Sequence, residues 1–354
     1  MRIVIANTHA PFVSGGAELH AQGLCQALRR AGHEAELVTM PFSWKTPDTI
    51  VDHIIAASSL DASEYFGAET DLMIGLKFPA YLMRHPRKVT WLIHQYREAY
   101  DLWDAGVGGL VNDPKGLLVR DLIRDIDTRL FSGNGPVFAN SRNVANRLKK
   151  YNGIDSDPLY HPPPLADRMK TGAYGNYFYF PSRISGLKRQ DMVLDALAEC
   201  STPARFIFSG NADTPAVGAR FRARIEELDL TDRVEWRGHV SNEEMIDLYA
   251  GARAVVFPPF DEDLGYITLE AMLAGKAVIT ASDSGGPLEF IADGKQGLVV
   301  EPKAKALAKA LDRLWLNPRE AESMGRNAAE RYRTLSISWD NVVEKLTGSR
   351  DGDG

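Results

Sequence analysis

Cysteine is scarce in this chain of 354 residues: Cys25 and Cys200 are its only two, far apart in sequence. Each falls in an apolar helical pattern, which excludes a disulfide framework and predicts buried, reduced thiols, as in a cytosolic protein. A surplus of one charge is also missing. With 41 Lys and Arg against 47 Asp and Glu, the net charge of −6 gives nucleic acid no electrostatic footprint. Long apolar runs are absent too, and none approaches the ~18 residues that a membrane span requires. The opening MRIVIANTHAPF has too short an apolar run, and polar residues too early, for a signal peptide. A soluble, cytoplasmic protein is expected. What is present is an ordinary globular composition, 44% hydrophobic and 25% charged, at a length that suits two domains.

Short apolar runs alternate with helical patterns in both halves. Strands are predicted at 2–7, 34–39, 71–76, 89–94 and 135–140. The alternation restarts at 177–182 and continues at 204–210, 233–238, 253–259, 277–281 and 297–302. A helix is predicted over 16–32, with Leu19, Leu24, Ala27 and Leu28 on one face and Gly32 at its end. Strands spaced by helices imply α/β architecture with parallel sheets covered on both faces. The stretch 151–176 is rich in proline, glycine and aspartate, can continue neither a helix nor a central strand, and marks the domain boundary. Ligands bind beyond the carboxyl ends of such strands, so two facing domains of this kind would hold a site in the cleft between them.

The stretch FPPFDEDLGYITLEAMLAGK, residues 257–276, joins a strand to a helix. Pro258 and Pro259 end the strand, DEDL at 261–264 is loop, and Gly265 lets the backbone come close to a ligand. Ile267, Leu269, Met272 and Leu273 read as a helix that Gly275 stops. Glu262 then sits on the loop rim and Glu270 about one turn inside the helix. The helix start offers N–H groups and a positive dipole end to a phosphate. Glu270 suits the 2′,3′-diol of a ribose, and Glu262 the opposite side. Arg183 and Lys188, in SRISGLKRQ beyond the first strand of the second half, offer a fork and a point charge suited to a diphosphate. Arg189 beside them reads as solvated. Gly285 and Gly286 follow the strand AVITA and allow close backbone approach, with Glu289 at the start of a further helix.

In the first half, Gly15 and Gly16 lie between the first strand and first helix without the GxGxxG spacing. The second strand does not end in the acid that would hold a nicotinamide ribose, which disfavours an NAD oxidoreductase. His94 ends a strand, with Tyr96, Tyr100 and Trp103 following it; such aromatics are more often packing than sugar platforms.

This ordered set, Gly15-Gly16, His94, Asn140-Ser141, Arg183 with Lys188, and EDLGYITLEAMLAGK followed by GGPLE, resembles the retaining glycosyltransferases of family 4. The resemblance spans almost the whole chain, including SWD at 338–340. It implies the GT-B fold of two facing Rossmann-like domains with an interdomain cleft, an acceptor domain at 1–165 and a donor domain at 170–334. It also implies a final helix at about 335–350 that crosses back to the first domain. The family loop usually reads E-G-F-G, whereas Asp263 stands here at its first glycine position. By this resemblance Glu270 binds the nucleotide ribose, and Arg183 and Lys188 the diphosphate. Glu262 and the N–H groups of Leu264, Gly265 and Tyr266 hold the donor sugar. The backbone around Arg237, His239 and Val240 meets the base. Gly16 approaches the phosphate, Gly15 and Tyr96 lie at the acceptor, and His94 contacts the sugar near the reacting carbon. The implied reaction moves a hexose, with retention, from a nucleoside diphosphate sugar to a hydroxyl of a glycan, lipid-linked or small-molecule acceptor, as in polysaccharide biosynthesis.

No cofactor and no obligatory metal are expected. DSD at 155–157 lies in a turn environment, and DED at 261–263 overlaps the glutamate loop, where cationic side chains already serve the phosphates. LAGKAV lacks the remaining residues of a P-loop. The amphipathic helix 116–131 carries Arg120, Arg124 and Arg129, but Asp121, Asp125 and Asp127 interleave; a solvated face is favoured over weak contact with the inner face of a membrane. Two other readings compete: a nucleotide-sugar epimerase, for which no acid/base constellation is found, and a non-catalytic nucleotide-sugar binding protein.

Overall fold

The computed structural model describes residues 1–12, 15–133 and 135–348. The mobile end expected for SRDGDG, residues 349–354, lies outside the described residues. The chain forms two units, one of Met1–Pro164 with the stretch from Ile337 onward, the other of Leu165–Ser336.

In the first unit the strands are β1 (Arg2–His9), β2 (Glu34–Pro41), the small hairpin β3 (Glu64–Tyr65) and β4 (Ala68–Glu69), β5 (Leu72–Lys77), β6 (Lys88–His94), β7 (Val137–Ala139) and β8 (Asp157–Pro158). Its helices are α1 (Gly16–Arg30), α2 (Pro47–Ser59), the short α3 (Asp101–Asp104), α4 (Gly116–Phe131) and α5 (Arg142–Asn152). The sheet runs β2-β1-β5-β6-β7-β8, parallel throughout. Ile3–Thr8 and Leu72–Leu76 are buried without alternation, as strands covered on both faces must be. The stretch 151–176 is less of a linker than its composition predicts. Its Asp157-Pro158 adds an edge strand, where proline's missing N–H is tolerated.

On α1 the buried stripe is His20, Ala21, Leu24, Ala27 and Leu28. Leu19, expected on that face, is exposed, because it stands five residues from Leu24 and so outside the i−3/i−4 row. The last helix of the chain, α13 in sequence order (Trp339–Thr347), packs on α1. Trp339 lies against Gly23, where a Cβ would stand 2.6 Å from the indole. It stacks on His161 at 5.3 Å, which in turn meets His20 at 4.1 Å beside Trp91.

The second unit contains β9 (Phe178–Pro181), β10 (Phe206–Ser209), β11 (Val234–Trp236), β12 (Ala254–Val256), β13 (Val278–Ala281) and β14 (Gly297–Val300). Its helices are α6 (Gln190–Glu199), α7 (Pro215–Glu227), α8 (Asn242–Gly251), α9 (Tyr266–Leu273), α10 (Pro287–Phe290), α11 (Ala304–Leu316) and α12 (Pro318–Thr334). The parallel order is β11-β10-β9-β12-β13-β14. The order therefore reverses direction between β9 and β12, and in the first unit between β1 and β5, the positions where open α/β sheets form ligand crevices. Lys276, from the dismissed LAGKAV, is fully buried and structural. Its Nζ donates to the carbonyls of Gly172 and Ala173 and lies 3.8 Å from the Tyr174 ring, and burial lowers its pKa to about 8.

Candidate nucleotide and sugar site

The loops that leave the carboxyl ends of β9, β10 and β11 are tied together by main-chain bonds. Ser182 N–H donates to Ser209, Ile184 N–H to Asn211, Gly210 N–H to Gly238 and Arg237 N–H to Phe208. Gly210 has φ +118, and a Cβ there would stand 2.3 Å from the Ser182 carbonyl, so only glycine lets these loops touch. On the other side of the switch, Phe260 N–H donates to Leu187, Asp261 N–H to Asp283 and Glu262 N–H to Ser284, while Gly286 N–H returns to Glu262. Gly286 was expected to admit a ligand. Instead it admits the glutamate loop itself: a Cβ there would lie 2.6 Å from the carbonyls of both Asp263 and Leu264.

Gly265 caps α9 in the left-handed region at φ +82, and no side chain caps this helix. Its start thus meets the switch point with no acidic residue in its first turn. Glu270, one turn in, is buried, and its Oε2 accepts from Tyr249 Oη at 2.6 Å. Burial raises its pKa and the Tyr249 bond opposes that. Glu262 is on the rim, paired with Lys188 at 2.5 Å, each side chain about one-fifth exposed. Tyr266, at the helix start, is held neutral by burial.

The two cations expected at one diphosphate are drawn apart by different acids. Lys188 is held by Glu262, whereas Arg183, more than half exposed, pairs with Asp213 at 2.9 Å on the loop beyond β10. Arg189, read as solvated, is neither loose nor bare. Its guanidinium forms two 2.7 Å bonds to Asp283 and lies 5.2 Å from the Phe260 ring, from a left-handed backbone at φ +61. Sequence spacing offers no sign of Asp213 or Asp283, because each is supplied by the loop of another strand. Arg237 is engaged by Glu235 and Glu244, leaving backbone near Gly238 (φ +64), exposed His239 and Val240 as the accessible surface there.

In the first unit, Gly15 precedes α1 and its N–H donates to Glu18 Oε2 at 2.8 Å. The carboxylate of Glu18, missed in the sequence, thus occupies the helix start beside Gly15 and Gly16. His9 at 3.9 Å and Lys77 at 4.0 Å approach it from the ends of β1 and β5. His94 ends β6, and its Nδ1 lies 2.6 Å from the Gln95 carbonyl, so Nδ1 carries a proton and donates it to that oxygen. Tyr96 packs against Phe42 and Phe78, and its buried hydroxyl has no hydrogen-bond partner among the described residues. Ser141 caps α5 through Val144 N–H, a structural task, with Asn140 buried before it.

The helix expected at 116–131 is α4, but its acids do not all face water. Asp127 is fully buried and accepts from Tyr81 and Tyr100, each at 2.8 Å. Arg124 lies over Tyr100 and Tyr151, and Leu117, Leu118 and Leu122 are exposed. No helix among the described residues is long and apolar enough to cross a membrane. Asp155 pairs with Lys149, and among the described residues no group of three or more His, Cys, Asp or Glu is arranged to hold a metal.

Residues 168–331, nearly all of the second unit, match the family described as glycosyl transferases group 1. The match lies within the second unit and covers 164 of the 354 residues. Among curated relatives of this glycosyltransferase family, the D-rhamnosyltransferase WbpZ of Pseudomonas aeruginosa is 31% identical over 191 residues, 52% of this chain and 48% of the relative. The chain thus spans about half the length of that relative. Sucrose-phosphate synthase from Thermosynechococcus elongatus has the same fold, with a TM-score of 0.76 at 17% identity over 98% of each chain. So does Anabaena HepE, solved with UDP-glucose, at 0.72 and 17% over 98% of each chain. The fold is GT-B.

Proposed function

We propose that the protein is a glycosyltransferase that moves a hexose from a nucleoside diphosphate sugar to a hydroxyl acceptor with retention and without an obligatory metal. One observation carries the proposal: at the strand-order switch of the second unit, a buried carboxylate (Glu270) stands one turn inside a helix whose start bears no side-chain cap, beside the Lys188–Glu262 pair. In this reading Glu270 takes the ribose diol, Lys188 and Arg183 leave Glu262 and Asp213 for the diphosphate, and Glu262 turns to the hydroxyls of the donor sugar. The N–H groups of Leu264, Gly265 and Tyr266 line the same space. The base meets the backbone of Arg237, His239 and Val240. Gly16 approaches the phosphate, and Gly15, His94 and Tyr96 belong to the acceptor side.

Departure of the nucleoside diphosphate develops negative charge on its β-phosphate, and fixed cations with a helix dipole at that oxygen lower the barrier. Retention follows if the acceptor attacks from the leaving-group face and the phosphate takes its proton. Names of similar proteins lend support, since HepE has been solved with UDP-glucose and WbpZ is called a rhamnosyltransferase. Exposed Leu117, Leu118 and Leu122 on α4 offer a weak peripheral contact for a lipid-borne acceptor.

The test is thermal shift with UDP, GDP, ADP, dTDP and CMP, followed by transfer assays with the matching sugar donors in the presence of a chelator. A nucleotide at ~100 times its Kd stabilises by ~2.7 kcal/mol. One diphosphate standing out, turnover that survives chelation, and a product with the donor's anomeric configuration by NMR are expected. If no nucleotide shifts the protein, the proposal fails.

A further inference from the structure

Tyr249 lies outside every motif singled out in the sequence, yet it makes the one hydrogen bond that the Glu270 carboxylate receives among the described residues. It is fully buried on α8, and its hydroxyl stands 2.6 Å from Glu270 Oε2. We propose that Tyr249 is a positioning residue of the nucleotide site: by binding Oε2 it fixes the rotation of the Glu270 carboxylate and turns Oε1 toward the ribose diol. This inference rests on the reading of Glu270 as the ribose ligand.

Three observations carry it. First, a carboxylate this buried needs a donor to stay fixed, and a buried tyrosine hydroxyl needs an acceptor, so each satisfies the other. Second, Tyr249 is itself held. Its ring meets Tyr179 edge-on at 5.0 Å, and Tyr179 Oη is 2.7 Å from Ser209 Oγ at the carboxyl end of β10. The chain Ser209–Tyr179–Tyr249–Glu270 therefore links the loop edge beyond β10 to the helix that follows β12, through residues that are all buried. Third, the ionisable groups facing Glu270 are tyrosines: Tyr249 on α8, Tyr179 on β9 and Tyr266 on its own helix. Burial keeps all three neutral, so a hydroxyl dipole, not a cation, opposes the desolvation of the carboxylate.

A distinctive signature follows. Removing the hydroxyl loses one hydrogen bond to a charged group and lets Glu270 take up a proton at higher pH. Calorimetric titration of wild type, Tyr249→Phe and Glu270→Ala with UDP, GDP and ADP, between pH 5.5 and 8, reads both effects. With the tightest of these nucleotides, Tyr249→Phe is expected to bind about tenfold more weakly near neutrality. Its loss of affinity on acidification should begin about one pH unit higher than in wild type. Its discrimination against the 2′-deoxy nucleotide should also shrink, a change that a purely structural tyrosine would not cause. If Glu270→Ala binds as wild type does, the ribose reading itself is wrong. If Glu270→Ala weakens binding while Tyr249→Phe keeps both the affinity and the acid profile of wild type, the positioning role alone is overturned. Should Tyr249→Phe not fold with a stranded carboxylate, Glu270→Ala, which leaves the hydroxyl nothing to orient, is compared with Glu270→Ala/Tyr249→Phe. Equal affinities within about twofold fit a tyrosine that acts only through Glu270, and a further tenfold loss in the double variant refutes it.

Discussion

Lys188 and Glu262 hold each other at 2.5 Å in a site where the proposed reaction needs them apart. A partly exposed pair of this kind contributes ~0.2–1 kcal/mol, so opening it is a small cost that the incoming diphosphate and sugar can offset. Glu262→Gln removes the competing anion. It should tighten binding of the sugar-free nucleoside diphosphate by about two- to fivefold, while lowering transfer by ~10²-fold. Lys188→Ala should lower both. Titration calorimetry beside an initial-rate assay separates the two variants, and weaker nucleotide binding in Glu262→Gln would end this account. At this scale, residue types and their positions on loops were legible, because Glu262, Glu270, Arg183 and Lys188 follow strand ends directly. Their partners were not. Asp213, Asp283 and Tyr249 come from other loops and helices, and no local spacing records which strands become neighbours. A tyrosine on the buried side of a helix was nonetheless a usable signal, since its hydroxyl must find an acceptor.

The elements show why the glycine-rich loop GGPLE has its composition. Gly286 lies at φ −48, ψ −42, a conformation open to any residue, so its requirement is space and not dihedral freedom. Gly286→Ala puts a Cβ into the carbonyls of Asp263 and Leu264 and must push the Glu262 loop outward. A loss of ~1–3 kcal/mol is expected, with a larger fall in transfer than in nucleotide affinity. Scanning calorimetry with paired kinetics checks this, and an unchanged melting temperature would contradict the packing described. Strands were read well because buried parallel strands form short, unbroken apolar runs, from RIVIAN onward. Two details were not legible. The edge strand β8 has a proline and an aspartate in place of an apolar run, and Leu19 was placed on a face that helix geometry denies it.

Across the whole molecule, the first unit contains buried titrating groups of opposite sense. Burial pushes Asp127 up to about 7, above its unfolded value near 3.9, so its contribution to stability is fully present below ~4 and is lost as pH rises through 7. Burial lowers His161 to about 4, and His20 well below its ordinary value with His161 adding to the effect; their contribution is present above ~6.5 and is lost as pH falls toward 4. The two slopes oppose each other between pH 4 and 6.5. Asp127→Asn should therefore lose stability more steeply on acidification than wild type, by ~3 kcal/mol or less over that range, read by denaturant melts at several pH values. Parallel profiles would rule this out. The same histidines touch Trp339, whose helix joins the first unit from the far end of the chain. During synthesis, Gly23, Trp91 and His161 must wait uncovered while residues 165–336 are made. A ribosome paused before Trp339 would therefore carry a second unit free to fold and a first unit with an open flank, which a chaperone or a hydrophobic dye could find.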